Sequence, residues 1–155
     1  MLDPKNVVFC NGRGNVWYAK EEFDKAIIDY TEATRLDPKY VDAFYNRGQV
    51  WSAKHEYDKA IKDYSETIRL DSNYVNAYIG RGNAWHEKEE YDKAIKDFDE
   101  AIQLDPKSAY AFGCRANTWY FKEDYDKSIK DHSKAIQLGV TTRPLFILRS
   151  DSRFL

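Results

Sequence analysis

The chain has 155 residues, 43% apolar and 15% aromatic, and its 24 Lys and Arg nearly cancel 26 Asp and Glu to leave a net charge of −2. That balance gives no electrostatic footprint for nucleic acid or an anionic membrane surface, and the longest apolar runs are far too short to span a bilayer. The opening residues MLDPKNVVF lack a basic segment followed by a long apolar one, so a signal peptide is not expected and a soluble, cytoplasmic setting is.

In chain order, Leu2-Asp3-Pro4-Lys5 repeats the letters and phase of Leu36-Asp37-Pro38-Lys39, so residues 1–6 read as the remnant of a preceding unit's last turn. From residue 7 a strict step of 34 sets in: Trp17, Trp51, Trp85 and Trp119; Arg13, Arg47, Arg81 and Arg115; Lys25, Lys59, Lys93 and Lys127; Asp29, Asp63, Asp97 and Asp131. The blocks run 7–40, 41–74, 75–108 and 109–142. Such a period means one supersecondary unit copied in tandem, each copy burying its apolar face against its neighbours. In the third block apolar and small residues recur at helical spacing, first at Ala77, Tyr78, Gly82 and Trp85, then at Ala94, Ile95, Phe98, Ala101 and Ile102. Helices are predicted over about Asn76–Lys88 and Asp92–Leu104, joined by a tight turn at Lys88-Glu89-Glu90. Asp92 sits favourably at the second helix's N-terminal dipole, and Pro106 ends that helix. Residues 143–155 fall where a fifth first helix would lie. Arg149 keeps the arginine position, Ser150 replaces the glycine and Arg153 the tryptophan, so a short capping helix from Thr142 to about Ser150 is expected to present Leu145, Phe146 and Leu148 to the last repeat.

Several repeated residues read as structural. A small residue in each first helix (Gly14, Gly48, Gly82, Ala116) lets the partner helix approach closely, and the tryptophans are expected to fill the space as packed core. Each arginine has an aspartate sixteen positions on. A bidentate bridge, within the hairpin or across a junction, accounts for the pair more simply than an arginine ladder for an acidic ligand. Cys10 and Cys114 stand about three repeats apart, which excludes a disulfide between them. His55, His86 and His132 have no metal-ligand spacing, and His132 occupies a core-aromatic position, so a hydrogen-bonded core imidazole is expected there. With no Gly-rich phosphate loop, no paired Cys or His and no G-x-S-x-G, neither a cofactor, nor a metal, nor catalysis is expected.

Over about nine-tenths of its length the chain resembles the tetratricopeptide repeat (TPR) family. The family's small residue falls on Gly14, Gly48, Gly82 and Ala116, and its aromatic three positions later on the tryptophans. In the second helix the small residue falls on Ala26, Ala60, Ala94 and Ser128, followed by Tyr30, Tyr64, Phe98 and His132. The second small residue falls on Ala33, Thr67, Ala101 and Ala135, and the proline on Pro38 and Pro106. The resemblance implies an all-α, right-handed α-solenoid of antiparallel helix pairs, its inner surface lined by first helices.

On that surface one rung reads Asn15, Gln49, Asn83 and Asn117, a carboxamide in every copy, with Asn11, Asn46 and Asn76 nearby. Tyr18, Tyr45, Tyr110, Tyr120 and Phe121 add apolar contact. A carboxamide both donates and accepts, so the rung suits the backbone of an extended peptide, although the amides could also satisfy one another along the stack. TPR proteins of the co-chaperone type grip a C-terminal carboxylate with Lys, Asn, Asn, Lys and Arg. Carried onto this chain, those roles fall on Asn11, Asn15, Asn46, Asn76 and Gly80, which supplies the two asparagines and none of the cations. A non-catalytic scaffold binding another protein or peptide in a concave groove is therefore expected, without that clamp. The alternative is a structural module that forms homo-oligomers through its terminal repeats or its C-terminal tail.

Overall fold

The computed structural model describes residues 4–139, and the expected tail over 143–155 lies outside them. Eight α-helices follow one another: α1 (Pro4–Ala19), α2 (Phe23–Leu36), α3 (Val41–Ala53), α4 (Tyr57–Leu70), α5 (Val75–Glu87), α6 (Tyr91–Leu104), α7 (Ala109–Phe121) and α8 (Tyr125–Gln137). Residues 4–6 form the first turn of α1 rather than a separate turn, and Pro4 fits there because its missing N–H would be unbonded in any case. Consecutive helices pack as antiparallel pairs. Among the described residues α1 also touches α3, α3 touches α5 and α5 touches α7, whereas no second helix reaches another. A stack in which only the first helices meet one another is curved with those helices on the inside.

The turn within each pair is set by one residue of left-handed backbone: Glu21, His55, Glu89 and Glu123, with φ of 59°, 60°, 61° and 63°. In the third pair the Glu89 amide reaches His86 O at 2.8 Å and the Glu90 amide reaches Trp85 O at 2.9 Å. These two bonds satisfy carbonyls that a helix end leaves open. The turn between pairs has a cause other than the predicted proline. Asp37, Asp71 and Asp105 each accept the amide two residues on (Lys39, Asn73, Lys107) at 2.9–3.0 Å. The second of these turns forms with Ser72 where the others have Pro38 and Pro106, so the carboxylate is the common element.

The close approach at glycine holds, but the ring that uses it is not the tryptophan. A Cβ on Gly14 would stand 2.6 Å from Tyr30, one on Gly48 2.9 Å from Tyr64 and one on Gly82 2.6 Å from Phe98. These second-helix rings are almost wholly buried. The four tryptophans are partly buried at the edge of the core: Trp17, Trp51 and Trp85 pack against its buried clusters, as expected, but none fills the space at the glycine. Each lies under the repeated lysine of its own second helix, with Lys25, Lys59, Lys93 and Lys127 Nζ 4.6, 4.5, 4.5 and 4.2 Å from the indole centroids. A tryptophan there packs one face inward and offers the other to a cation that stays solvated. His132 is half-buried rather than core.

The arginines make the expected bidentate bridges within their own pairs. Nε and Nη2 of Arg13, Arg47, Arg81 and Arg115 bind Asp29, Asp63, Asp97 and Asp131 at 2.6–2.8 Å. The remaining Nη1 crosses to the preceding pair, from Arg47 to Thr31 and Thr34, from Arg81 to Ser65 and from Arg115 to Asp99. One guanidinium thus joins two units. The repeated lysines at the ends of first helices add Lys54–Asp24, Lys88–Asp58 and Lys122–Asp92 pairs across the same junctions.

Two sets of variants test this account by denaturant midpoint. Gly82→Ala should lose about 1–2 kcal/mol despite alanine's higher helix propensity, because the Phe98 ring is fixed by its surroundings. Gly12→Ala, where an added Cβ meets nothing within 4 Å, should gain about 0.5–1 kcal/mol. Equal effects at the two positions would refute the close-approach argument. Arg81→Met, which strands a buried carboxylate, should cost about 2–4 kcal/mol. Arg13→Met should cost less, because the Arg13 side chain is 66% exposed against 21% for Arg81 and makes no cross-junction bond among the described residues.

Candidate functional site

The inner surface is made of the first helices, and its two halves differ in chemistry. At the N-terminal half Asn46 of α3 stands between two residues of α1. Its Nδ2 donates to Asn11 Oδ1 at 3.0 Å and to Asn15 Oδ1 at 3.2 Å. Asn15 Oδ1 also accepts from the Tyr30 hydroxyl at 2.7 Å. Asn11 is buried, 8% exposed, and supports Asn46 from below rather than facing solvent. Among the described residues no hydrogen bond engages Asn15 Nδ2 or Asn46 Oδ1. The amides therefore bind one another in part and keep one donor and one acceptor outward.

The adjoining rung follows the same logic. Gln49 Nε2 donates to the Tyr45 hydroxyl at 3.2 Å. The half-buried Tyr45 ring packs between Tyr64 and Tyr74, with centroids 5.8 and 4.9 Å away. The Tyr64 hydroxyl meets Ser52 Oγ at 3.3 Å. Tyr18 lies against Phe23 with centroids 6.0 Å apart. Tyr30 and Tyr64 were not among the expected site residues, since their rings belong to second helices. Their hydroxyls nonetheless reach through the stack to the polar floor. The available signal was tyrosine rather than phenylalanine at that position in the first two repeats.

Burial, reinforced by Tyr18, pushes the Tyr30 phenol up to about 12. Burial also raises Tyr45 and Tyr64.

The C-terminal half is richer in aromatics. Tyr110, 51% exposed, shares a cluster with Asn83 and Cys114, and its phenol is raised first by Cys114 and then by burial. Burial holds the Cys114 thiol protonated, up to about 12. Asn76 is exposed at the start of α5, and Asn117 is half-buried on α7. Phe121 is the hub of a ring cluster, 5.1 Å from His86, 6.1 Å from Tyr91 and 5.8 Å from Tyr120, which in turn lies 5.6 Å from Tyr125. His86 Nδ1 stands 3.0 Å from Thr118 Oγ1, whose own proton goes to Cys114 O, so the imidazole nitrogen is the donor. Sequence spacing did not single out His86 or Tyr91 because neither lies on the amide rung. Among the described residues no group of three or more His, Cys, Asp or Glu side chains could hold a metal ion.

This architecture carries a family assignment. The tetratricopeptide repeat profile matches residues 41–74 and 75–108, and a second TPR repeat profile matches 14–54. Together they cover more than half of the chain. The chain belongs to the tetratricopeptide repeat family. No curated protein sequence matches it significantly. Among solved structures, a crystal structure of MamA is similar with a TM-score of 0.82 at 25% identity, over 88% of this chain and 80% of that one. The Arabidopsis OM64 TPR domain aligns with a TM-score of 0.73 at 25% identity, over 76% of this chain and 97% of that domain. The first TPR domain of Spaghetti (RPAP3), bound to the HSP90 peptide SRMEEVD, shares the fold with a TM-score of 0.75 at 22% identity, over 78% of this chain and 98% of that one. The all-α, right-handed TPR solenoid expected from the repeats is thus the fold. Both matching profiles describe repeats and neither describes an enzyme family.

The raised phenol gives a pH test. The folded Tyr30 keeps its proton to about 12 while the unfolded one loses it near 10. Its contribution to stability is therefore complete below pH 10 and falls away as pH rises towards 12. Guanidinium midpoints followed through that window should drop for the wild type and less steeply for Tyr30→Phe. Parallel curves would show that this hydroxyl is not the group responsible.

Proposed function

We propose that this chain is a non-catalytic scaffold whose inner groove binds an extended segment of another protein. The observation that supports the reading is a carboxamide at the same position of every first helix (Asn15, Gln49, Asn83 and Asn117), accompanied by solvent-exposed rings on the same helices. Asn15, Asn46, Gln49, Asn76, Asn83 and Asn117 offer donors and acceptors, while Tyr110, Tyr120 and Phe121 are 51%, 40% and 46% exposed. An extended backbone presents N–H and C=O groups that carboxamides can meet without reading side chains. Exposed rings add contact area at small entropic cost, since each fixes only two torsions. Tyr18 and Tyr45 continue the aromatic wall towards the first repeat, and Asn11 holds Asn46 in place.

A TPR neighbour seats a short acidic peptide, which supports a peptide as the class of ligand. This groove would take a different one. The positions that carry a carboxylate clamp in co-chaperone repeats are Asn11, Asn15, Asn46, Asn76 and Gly80 here, and none is basic. A neutral internal segment fits these residues better than an acidic C-terminus. No described helix is long and apolar enough to cross a membrane, and the free thiols of Cys10 and Cys114 suit a reducing compartment such as the cytoplasm.

A randomised peptide-display library selected against the wild-type chain tests the reading. Selected peptides should bind as well with an amidated C-terminus as with a free one. They should lose about tenfold or more in affinity, about 1.4 kcal/mol, to Gln49→Ala/Asn117→Ala and to Phe121→Ala. The thermal melt of the double variant should barely move, because Asn117 makes no hydrogen bond among the described residues and Gln49 bonds only Tyr45. Undiminished affinity, or a library that yields no binder, would overturn the groove.

A further inference from the structure

The two ends of the stack expose complementary halves of the junction that is buried three times inside it. Among the described residues α1 packs only on α2 and α3, and α8 only on α7. On α1, Phe9 is 67% and Val16 58% exposed, although Ala43 and Val50 at the same register positions of α3 are fully buried. Val50 there packs with Ala26 and Tyr30 of the preceding pair. On α8, Ile129 is 64% and Ile136 67% exposed, whereas Ile95 at the position of Ile129 is 7% exposed. The face that would receive a second helix is therefore open at one end, and the face that would be received is open at the other.

The charges continue the same series. The lysines of α3, α5 and α7 each pair with an aspartate of the preceding pair: Lys54 with Asp24, Lys88 with Asp58 and Lys122 with Asp92. Lys20 and Asp126 are the two members of those sets with no such partner among the described residues. Arg81 Nη1 reaches Ser65 Oγ at 3.0 Å across a junction. Arg13 and Ser133 hold the corresponding positions at the two ends, and the Ser133 hydroxyl donates to Ile129 O, which leaves its lone pairs to accept. Volumes balance as well: Phe9 is larger than the alanines in its register, and His132 is smaller than Tyr30, Tyr64 and Phe98 in its own.

We propose that α8 of one copy docks on α1 of the next, so that this chain assembles head to tail through the geometry that stacks its own repeats. The occupant of both faces is a second copy. A segment within 140–155 could cover α8 but would leave α1 bare, and its basic residues Arg143, Arg149 and Arg153 do not fall at the lysine register position. The contact is heterologous, so it propagates rather than closing at two copies. The docking faces of α1 and α8 are distinct from the proposed groove.

End-blocked variants test it, with substitutions at Val16, Lys20, Asp126, Ile129 and Ile136, which are exposed and leave the monomer fold intact. By light scattering the wild-type chain should gain mass continuously with concentration. Val16→Glu alone and Ile129→Glu/Ile136→Glu alone should each remain monomeric. Mixed, they should form a one-to-one dimer and nothing larger, because each retains the end that the other has lost. Lys20→Asp should weaken assembly, and Asp126→Lys in the same chain should restore it. A wild-type chain that stays monomeric at every concentration overturns the proposal. If Leu145→Asp/Leu148→Asp then releases assembly, the chain's own terminal segment is the occupant instead. Variants that still dimerise alone would place association on another surface and would equally overturn it.

Discussion

The distance between the two helices of each pair governs the rest of the molecule. In the first three pairs it is set where a glycine of the first helix lies against a ring of the second, Gly14 on Tyr30, Gly48 on Tyr64 and Gly82 on Phe98; the fourth pair has Ala116 and His132 at those positions. A glycine in a helix interior costs about 1 kcal/mol of propensity, and the buried ring it admits more than offsets that through apolar burial. At this spacing the Arg–Asp pairs meet in bidentate geometry on the flank of each pair. The same spacing carries the Tyr30 and Tyr64 hydroxyls through the stack to the inner face. The packing and the hydroxyl–amide contacts of Tyr30 and Asn15 are consequences of one approach distance.

The arginine ladder converts local pairs into a continuous solenoid. Each guanidinium directs two donors to its own aspartate and, from the second pair onward, turns a third towards the preceding pair. Its pKa lies above the ordinary arginine value where the aspartate is close, as at Arg81 and Arg115, so the charge is permanent at any relevant pH. The buried aspartates make each bridge costly to break from one side only. That asymmetry favours copying the pair as a unit, which is how it occurs in all four repeats.

The helices, their pairing and the Arg–Asp bridges were legible because each was written four times in one phase. What spacing could not reveal was which of two periodic rings lies against the glycine. Trp and Tyr/Phe recur with equal regularity over the first three repeats, and only the crossing of the helices puts the second ring inside and leaves the indole under a lysine. The left-handed residues Glu21, His55, Glu89 and Glu123 were invisible for another reason. No glycine or asparagine marks them, since two carbonyl–amide bonds hold the turn against the preference of the side chain. The recurrence of a carboxamide at Asn15, Gln49, Asn83 and Asn117 was legible as a period. The bonding among the amides was not, because Asn46 and Asn11 belong to different register positions and meet only through the curvature that brings α1 and α3 together.

The proposed groove and the proposed stacking ends share the same period. Within the chain the amide of the inner surface recurs once per pair, from Asn15 to Asn117. If α8 of one copy receives α1 of the next in the geometry of an internal junction, the Asn117 of the first is followed by the Asn15 of the second in unbroken register. The inner surface then continues across the join, and an extended segment longer than one chain can be held by amides of several copies. Each added copy contributes a binding rung and a stacking face together, so a long ligand would favour assembly and assembly would favour a long ligand by the same free energy. Neither surface needs to change shape for this coupling to operate, because the repeat that builds the groove is also the repeat that builds the end.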